Sequence, residues 1–354
     1  MRIVLVSEAF FPAVDDATAT VKAVADRLID AGHELLLVAP GPGLGSYRGC
    51  QVARISPDGL STRVRIAIER FRPDLVHVSS PGRVGRKALK HSRRIAVPSL
   101  VVQHTPVSSV AADYWRSKVA GRADRVLVTS SWMVGHLAEL GVPALLWAPG
   151  VDTRAYAPQL RVGQLHAACA RSLDSDRPLV VVGYAGGLHK RHGVRRLSEI
   201  AHLPGIRLVV IGDGPQRGWL EDRLPTARFT GPLEPHELAA AIASLDVFVH
   251  PGERETCSHL LRAAAASAVP LVAPRAGGGP DVVRSLENGL LYDPTGPGAL
   301  PHAVAAVVAD PYRVLLGRRG RELAAQRSWV MAVDELVADH YLPMVLEAAG
   351  RWAA

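Results

Sequence analysis

The sequence predicts an α/β chain of two consecutive domains, each a parallel sheet flanked by helices. Three observations lead there. Short apolar runs alternate with helical stretches through both halves, which is the pattern of repeated βαβ units. A Pro- and Gly-marked break, Ala148 to Pro158, interrupts the alternation near the middle. The 354 residues, 48% apolar and 21% charged, suffice for two full cores of ordinary globular composition.

Taken in order, Ile3 to Val6 reads as a short buried strand, followed by a loop from Ser7 to Asp16 and a helix from about Ala17 to Ala31, with Gly32 as its stop. Glu34 to Ala39 gives the second strand, and Pro40 to Gly49 is a surface loop. Asp74–Val78, Ser99–Val102, Arg125–Thr129 and Leu145–Ala148 read as further short buried strands. Arg83 to Arg94 reads as a helix. In the second half, strands are expected at Leu179–Val182, Leu208–Ile211, Val247–Val249 and Leu271–Ala273. Helices between them are expected from near His192, Pro215, Pro235 and Ser258, another near Pro280, and a last one from about Trp329 to Ala349. Two such halves joined by a linker leave a cleft between their facing carboxyl edges, where ligands of open α/β sheets sit.

Composition narrows the function. No run of about 18 uncharged apolar residues occurs, so no membrane span is expected. The start, MRIVLVSEAF, reads as a first strand rather than a signal peptide. Cys50, Cys169 and Cys257 lie too far apart to suggest a disulfide framework or a metal site, and the cytosol follows as the default. A net charge of +8, with Arg far outnumbering Lys, favours anionic partners. Nucleic acid is not among those expected: there is no helix-turn-helix or zinc-finger spacing, and aromatics are only 5%.

The stretch His250 to Val283 carries most of the chemistry. A strand ends in a polar loop holding Glu253 and Glu255, then a helix, a second strand and a loop with Gly277 to Gly279. An acidic loop beside helix N-termini suits a sugar bearing a diphosphate, because carboxylates accept hydroxyl hydrogen bonds and free N–H groups face phosphates.

HPGERET, followed by PRAGGGPDVV and NGLLYDP, resembles the donor site of retaining glycosyltransferases of family 4, whose GT-B fold consists of two facing Rossmann-like domains. The actinobacterial GDP-mannose-dependent α-mannosyltransferases are the members it resembles in particular. The similarity runs from RIVLVSEAFFP to the pair Ser328-Trp329. It implies an acceptor domain over 1–150, a nucleotide-sugar donor domain over 151–328, and a C-terminal segment, 329–354, packing back on the first. It also implies a metal-independent reaction with no cofactor beyond the nucleotide-sugar co-substrate, with front-face attack by the acceptor.

Residue by residue, Glu255 matches the carboxylate that holds a donor-sugar hydroxyl; on an ordinary loop it would merely be solvated. The family's second Glu is Ala263 here, which accepts no side-chain hydrogen bond. In GYAGGLHKRHG, the positions of the family's Arg and Lys against the leaving diphosphate are Gly187, next to Gly186, and His192. Lys190 and Arg191 lie between and either replace that charge or are simply solvated. His104, in QHT, matches a histidine near the reacting carbon, although a lone strand-end His is often structural. Gly212 and Gly214, in GDGP, match the nucleotide wall. Thr256, Cys257 and Ser258 offer backbone N–H groups to phosphate, with Cys257 read as a packing residue. Asp15, Asp16 and Ala17 stand where the family has a Gly-rich loop; they face an amine-bearing acceptor, or Asp16 caps the following helix.

The expected function is therefore retaining transfer of a sugar from a nucleotide diphosphate, GDP-linked by resemblance, to a small molecule in preference to a lipid. A natural-product pathway with an unusual donor or a non-hydroxyl acceptor is a contender. The rival is a binding or scaffold subunit that kept the fold and lost the activity. Six basic residues in Arg83–Arg94 form either a solvated face or a patch docking weakly on anionic lipid at the inner membrane face, worth about 1 kcal/mol per residue and lost in salt. The sequence does not fix the oligomeric state.

Overall fold

The fold is that of a computed structural model, which describes residues 1–12, 16–79, 81–172 and 177–353. The chain divides into two compact units, Met1–Pro149 with Trp329–Ala354, and Gly150–Ser328. Each is a Rossmann-like parallel sheet flanked by helices.

The first unit contains β1 (Arg2–Ser7), β2 (Glu34–Pro40), β3 (Ser46–Tyr47), β4 (Cys50–Ile55), β5 (Leu75–Ser79), β6 (Ser99–Gln103), β7 (Arg125–Val128) and β8 (Leu145–Leu146). Between them run α1 (Asp16–Asp30), α2 (Leu60–Phe71), α3 (Arg83–Arg94), α4 (Ala112–Lys118) and α5 (Ser131–Glu139). The sheet order is β3-β4-β2-β1-β5-β6-β7-β8, parallel except for the β3–β4 pair. Both faces of β1 are buried: Ile3 and Leu5 enter one apolar cluster, Val4 and Val6 the other. That is why the strand reads as an unbroken apolar run instead of an alternating one.

The second unit holds β9 (Val180–Ala185), β10 (Ile206–Ile211), β11 (Arg228–Gly231), β12 (Val247–Val249), β13 (Leu271–Pro274) and β14 (Gly289–Tyr292), all parallel, in the order β11-β10-β9-β12-β13-β14. Its helices are α6 (Gly163–Ala170), α7 (Arg217–Arg223), α8 (Pro235–Ala243), α9 (His259–Ala266), α10 (Ala299–Ala309) and α11 (Arg313–Ala325). The chain leaves β9 on one side and returns to its other side at β12. This reversal is the switch point at which open α/β sheets bind ligands.

The chain ends with α12 (Trp329–Glu335), a π-helical turn (Leu336–Tyr341) and α13 (Leu342–Ala353), which return to the first unit. Three contacts fix them there. Trp147 Nε1 donates to the Ala332 carbonyl at 2.8 Å, Arg27 grips Asp334 with two bonds at 2.7 and 2.8 Å, and the Tyr341 hydroxyl shares a 2.6 Å hydrogen bond with His77 Nδ1.

Several expectations are corrected. Leu145–Leu146 is exposed because it forms a two-residue sheet edge. The Pro40–Gly49 loop contains β3, and β4 beyond it was hidden by the polar Gln51 and Arg54 in an edge region. β11 and β14 are strands that the Gly-bounded segments RFTG and GLLY conceal. No α-helix starts at Pro280, only a 3₁₀ turn over Gly279–Asp281, because Asn288 ties the Arg284 N–H and the Val282 carbonyl into a closed loop. The segment after His189 is also 3₁₀, over Lys190–His192 and Val194–Ile200.

Burial, reinforced by repulsion from His104, pushes the His77 imidazole from its ordinary 6.5 down to about 3. Folded His77 is thus neutral while the unfolded chain binds a proton below pH 6.5. Stability should fall as pH drops through this window, by at most about 1.4 kcal/mol per pH unit for this group. In urea unfolding at pH 7.5 and 5, His77→Gln should cost less at the lower pH than at the higher. An equal cost at both would show that His77 is not held neutral.

Candidate active site

In the second unit, the loops after β9 and β12 meet at the switch point. The β12 loop starts at buried His250, whose N–H donates to the Val272 carbonyl at 2.8 Å. It carries Glu253 and Glu255 and ends at α9. The two carboxylates have different environments. Glu253 is about half exposed and pairs with Arg196 at 3.0 Å, which also binds Glu199 and the Pro294 carbonyl and lies over the Tyr292 ring. It is a structural ion pair. The Glu255 side chain is only 19% exposed.

Glu255 is enclosed because the β9 loop closes over it. His192 Nδ1 hydrogen-bonds Glu255 Oε1, and His250 Nε2 lies 3.4 Å from Oε2, near enough for attraction but without hydrogen-bond geometry. Arg191 Nε donates to His192 Nε2 at 3.1 Å. An acceptor at Nε2 requires the proton of a neutral ring on Nδ1, pointing at the carboxylate. Guanidinium, imidazole and carboxylate therefore form a chain. The approach depends on Gly193, at φ 68°, where a Cβ would collide with the Pro251 carbonyl. Burial alone would raise the Glu255 carboxyl; attraction to His250, the His192 hydrogen bond and the neighbouring His192 and His259 imidazoles outweigh it and hold the pKa below the usual range. The group is ionised at neutral pH, ready to accept hydrogen bonds.

The other candidate residues of this unit lie on the β9, β10 and β12 loops. Gly186 and Gly187 continue β9, with the Gly187 carbonyl accepting from the buried Tyr184 hydroxyl at 3.2 Å. Gly212 packs directly on the Gly186 backbone, where a Cβ would not fit, and Gly214 lies against Leu188. These glycines bring the β9 and β10 loops together whatever they bind. Thr256, Cys257 and Ser258 are 4–5% exposed. Ser258 adopts the left-handed conformation, φ 46° and ψ 49°, which costs a non-glycine residue backbone strain. Its buried hydroxyl has no partner among the described residues. Lys190 and Arg191 are exposed. Ala263 is buried in the apolar cluster with Leu261 and Ala264, so no side-chain acceptor stands there.

Three further contributors carry little local signal in the sequence. His250 was visible in HPGERET but drew no role. Buried Arg262 donates to the Cys257 carbonyl at 3.3 Å, fixing the loop ahead of α9; burial lowers its pKa. In the first unit, Glu8 caps α3 by accepting from the Gly85 N–H at 2.8 Å. His104, also in the first unit, follows β6, is buried, and binds the Ser79 hydroxyl at 2.9 Å. Ala17 lies in α1, which begins at Asp16. Asp15 lies outside the described residues, as does the side chain of Asp16. No group of three or more His, Cys, Asp or Glu is placed to hold a metal among the described residues.

Comparison with known proteins decides the family. Residues 17–155 match the family described as Glycosyltransferase Family 4, and residues 180–310 match Glycosyl transferases group 1. Over 96% of its length the chain is 37% identical to the GDP-mannose-dependent alpha-mannosyltransferase of Mycolicibacterium smegmatis, covering 97% of that protein. The chain belongs to glycosyltransferase family 4.

The protein of the same name from Corynebacterium glutamicum is 31% identical to this glycosyltransferase over 98% of the chain and 89% of the relative. Anabaena HepE in complex with UDP superposes with a TM-score of 0.79 at 18% identity, over 97% of this chain and 100% of that one. Sucrose-phosphate synthase from Thermosynechococcus elongatus gives 0.77 at 19%, over 99% and 100%. At such identities these two show the GT-B fold alone. The chain is thus a glycosyltransferase enzyme, and no helix among its described residues is long and apolar enough to cross a membrane.

Removing the His192 imidazole takes away a hydrogen bond and leaves burial less opposed. In ¹³C-detected titration of labelled glutamate, the Glu255 carboxyl of His192→Ala should titrate at higher pH than in the native glycosyltransferase. An unchanged midpoint would mean that the ring does not engage the carboxylate in solution.

Proposed function

We propose that this glycosyltransferase transfers mannose from GDP-mannose, with retention at the anomeric carbon, to a hydroxyl of a small-molecule acceptor. The observation that supports this reading best is the enclosed, ionised Glu255 at the β9/β12 switch point. The relatives named as GDP-mannose-dependent α-mannosyltransferases, at 31–37% identity across most of the chain, support the donor.

Glu255 accepts hydrogen bonds from the donor-sugar hydroxyls and so fixes the sugar ring. The Thr256–Ser258 N–H groups at the head of α9, with Lys190 and Arg191, receive the diphosphate. The bond from the anomeric carbon to the GDP phosphate oxygen breaks as the acceptor hydroxyl attacks the same face. The acceptor proton passes to the departing phosphate oxygen, giving GDP and the glycoside. The chain's contribution is orientation and charge stabilisation without a protein nucleophile or a metal.

Thermal shift against GDP-mannose, GDP and UDP-glucose tests the donor. GDP-mannose at 100 times its Kd should add about 2.7 kcal/mol, whereas no shift with any of them at millimolar levels would overturn the reading. Glu255→Gln should lower kcat/KM for GDP release by roughly 10- to 150-fold with the fold intact; native turnover would remove Glu255 from the site. ¹H NMR of the product should show an α-mannoside, and a β-anomer would refute retention. Extraction of labelled product should leave it in the aqueous phase, while label in the organic phase would point to a lipid acceptor.

Lys190→Ala combined with Arg191→Ala should weaken GDP binding at least tenfold, the order expected for lost charge-assisted contacts. Undiminished affinity would leave the phosphates on backbone N–H groups alone.

A further inference from the structure

The first unit contains a cavity of about 420 Å³ that the donor site does not use. Arg83, Arg86, Lys87 and Lys90 of α3 line it, with Lys118 at the end of α4 and Arg122 in the turn that follows. No carboxylate is among the lining side chains, and none of the six cations forms an ion pair with a described residue. The neighbouring acids are engaged elsewhere: Glu69 with Arg65, His91 and Arg94 at 3.3 to 3.5 Å, and Asp113 with Arg116 at 3.1 Å.

Six like charges facing one hollow repel one another, yet the walls are held in place. Arg122 Nη1 donates to the Arg86 carbonyl at 3.3 Å, Arg93 Nη1 donates to the Gly121 carbonyl at 2.5 Å, and the Arg86 guanidinium lies over the Tyr114 ring at 5.4 Å. The apolar positions of α3, Val84, Ala88 and Leu89, are anchored in the core, which aims the basic face outward. A solvated basic face needs only exposure. Here cations from three elements converge on a concavity within the size range of small-ligand sites.

We propose that this cavity is a second anion site, taking a small molecule or a headgroup that carries one or more phosphates. Arg forks match phosphate oxygens two at a time and Lys supplies point charge. A monocarboxylate would leave most of the positive charge unanswered. The proposal does not depend on the donor-site reading.

The test titrates the full chain with inorganic pyrophosphate by calorimetry in the presence of saturating GDP. One pyrophosphate should bind per chain, more weakly as KCl rises. Lys87→Glu with Lys90→Glu, at exposed positions of α3, should weaken it at least about tenfold while GDP binding and far-UV circular dichroism stay native. Lys118→Gln with Arg122→Gln, from the facing wall, should also weaken it. Co-sedimentation with phosphatidylglycerol vesicles, reversed by pyrophosphate, would identify a lipid headgroup as the source. Pyrophosphate binding without co-sedimentation would identify a soluble phosphate ester. Absence of saturable pyrophosphate binding, or native affinity in both double variants, would overturn the proposal.

Discussion

An ionised carboxylate enclosed by protein must be answered by nearby positive charge or hydrogen-bond donors, and the second unit is built around meeting that demand at Glu255. Burying the group alone would raise its pKa and neutralise it. Two histidines from two different loops prevent this, and they arrive together only because the strand order reverses between β9 and β12. Topology places the loops, Gly193 lets their backbones touch, and the imidazoles set the charge.

This arrangement gives His192 a part different from that of a cation against a leaving group. Its ring lies between Arg191 and Glu255, passing the influence of an exposed guanidinium to an enclosed carboxylate through one neutral ring. Arg191 therefore serves two ends, biasing the ring's tautomer and adding positive charge at the edge of the proposed diphosphate site. Arg262 and Ser258 belong to the same economy of the loop. One pins the Cys257 carbonyl from beneath, and the other turns the chain through a left-handed corner into α9. The N–H groups of that loop are thereby held from below.

Much of this was legible in the sequence. Doubly buried strands such as β1 and β5 announce themselves as apolar runs, and α3 shows its bounds, Arg83–Arg94, in the sequence. Edge strands were less visible: β4 carries Gln51 and Arg54, and β14 follows a glycine, so neither shows a continuous apolar signal. Glu255 stood out because its position at a strand end is local in sequence. The role of His192 did not, because its partner lies 63 residues away and only the sheet order brings the two together. Glu8 and Arg262 were missed for the same reason: one caps a helix 77 residues on, and the other acts through a backbone carbonyl that no side-chain pattern reveals.

The central claim is that His192 acts on the donor through Glu255 and not independently. A double-mutant cycle with His192→Ala and Glu255→Gln, read as kcat/KM for GDP release from GDP-mannose, tests it directly. If the account is right, the double variant is no slower than Glu255→Gln alone, because the ring has nothing left to position. If the two losses multiply, His192 has a separate function and the account of the site is wrong.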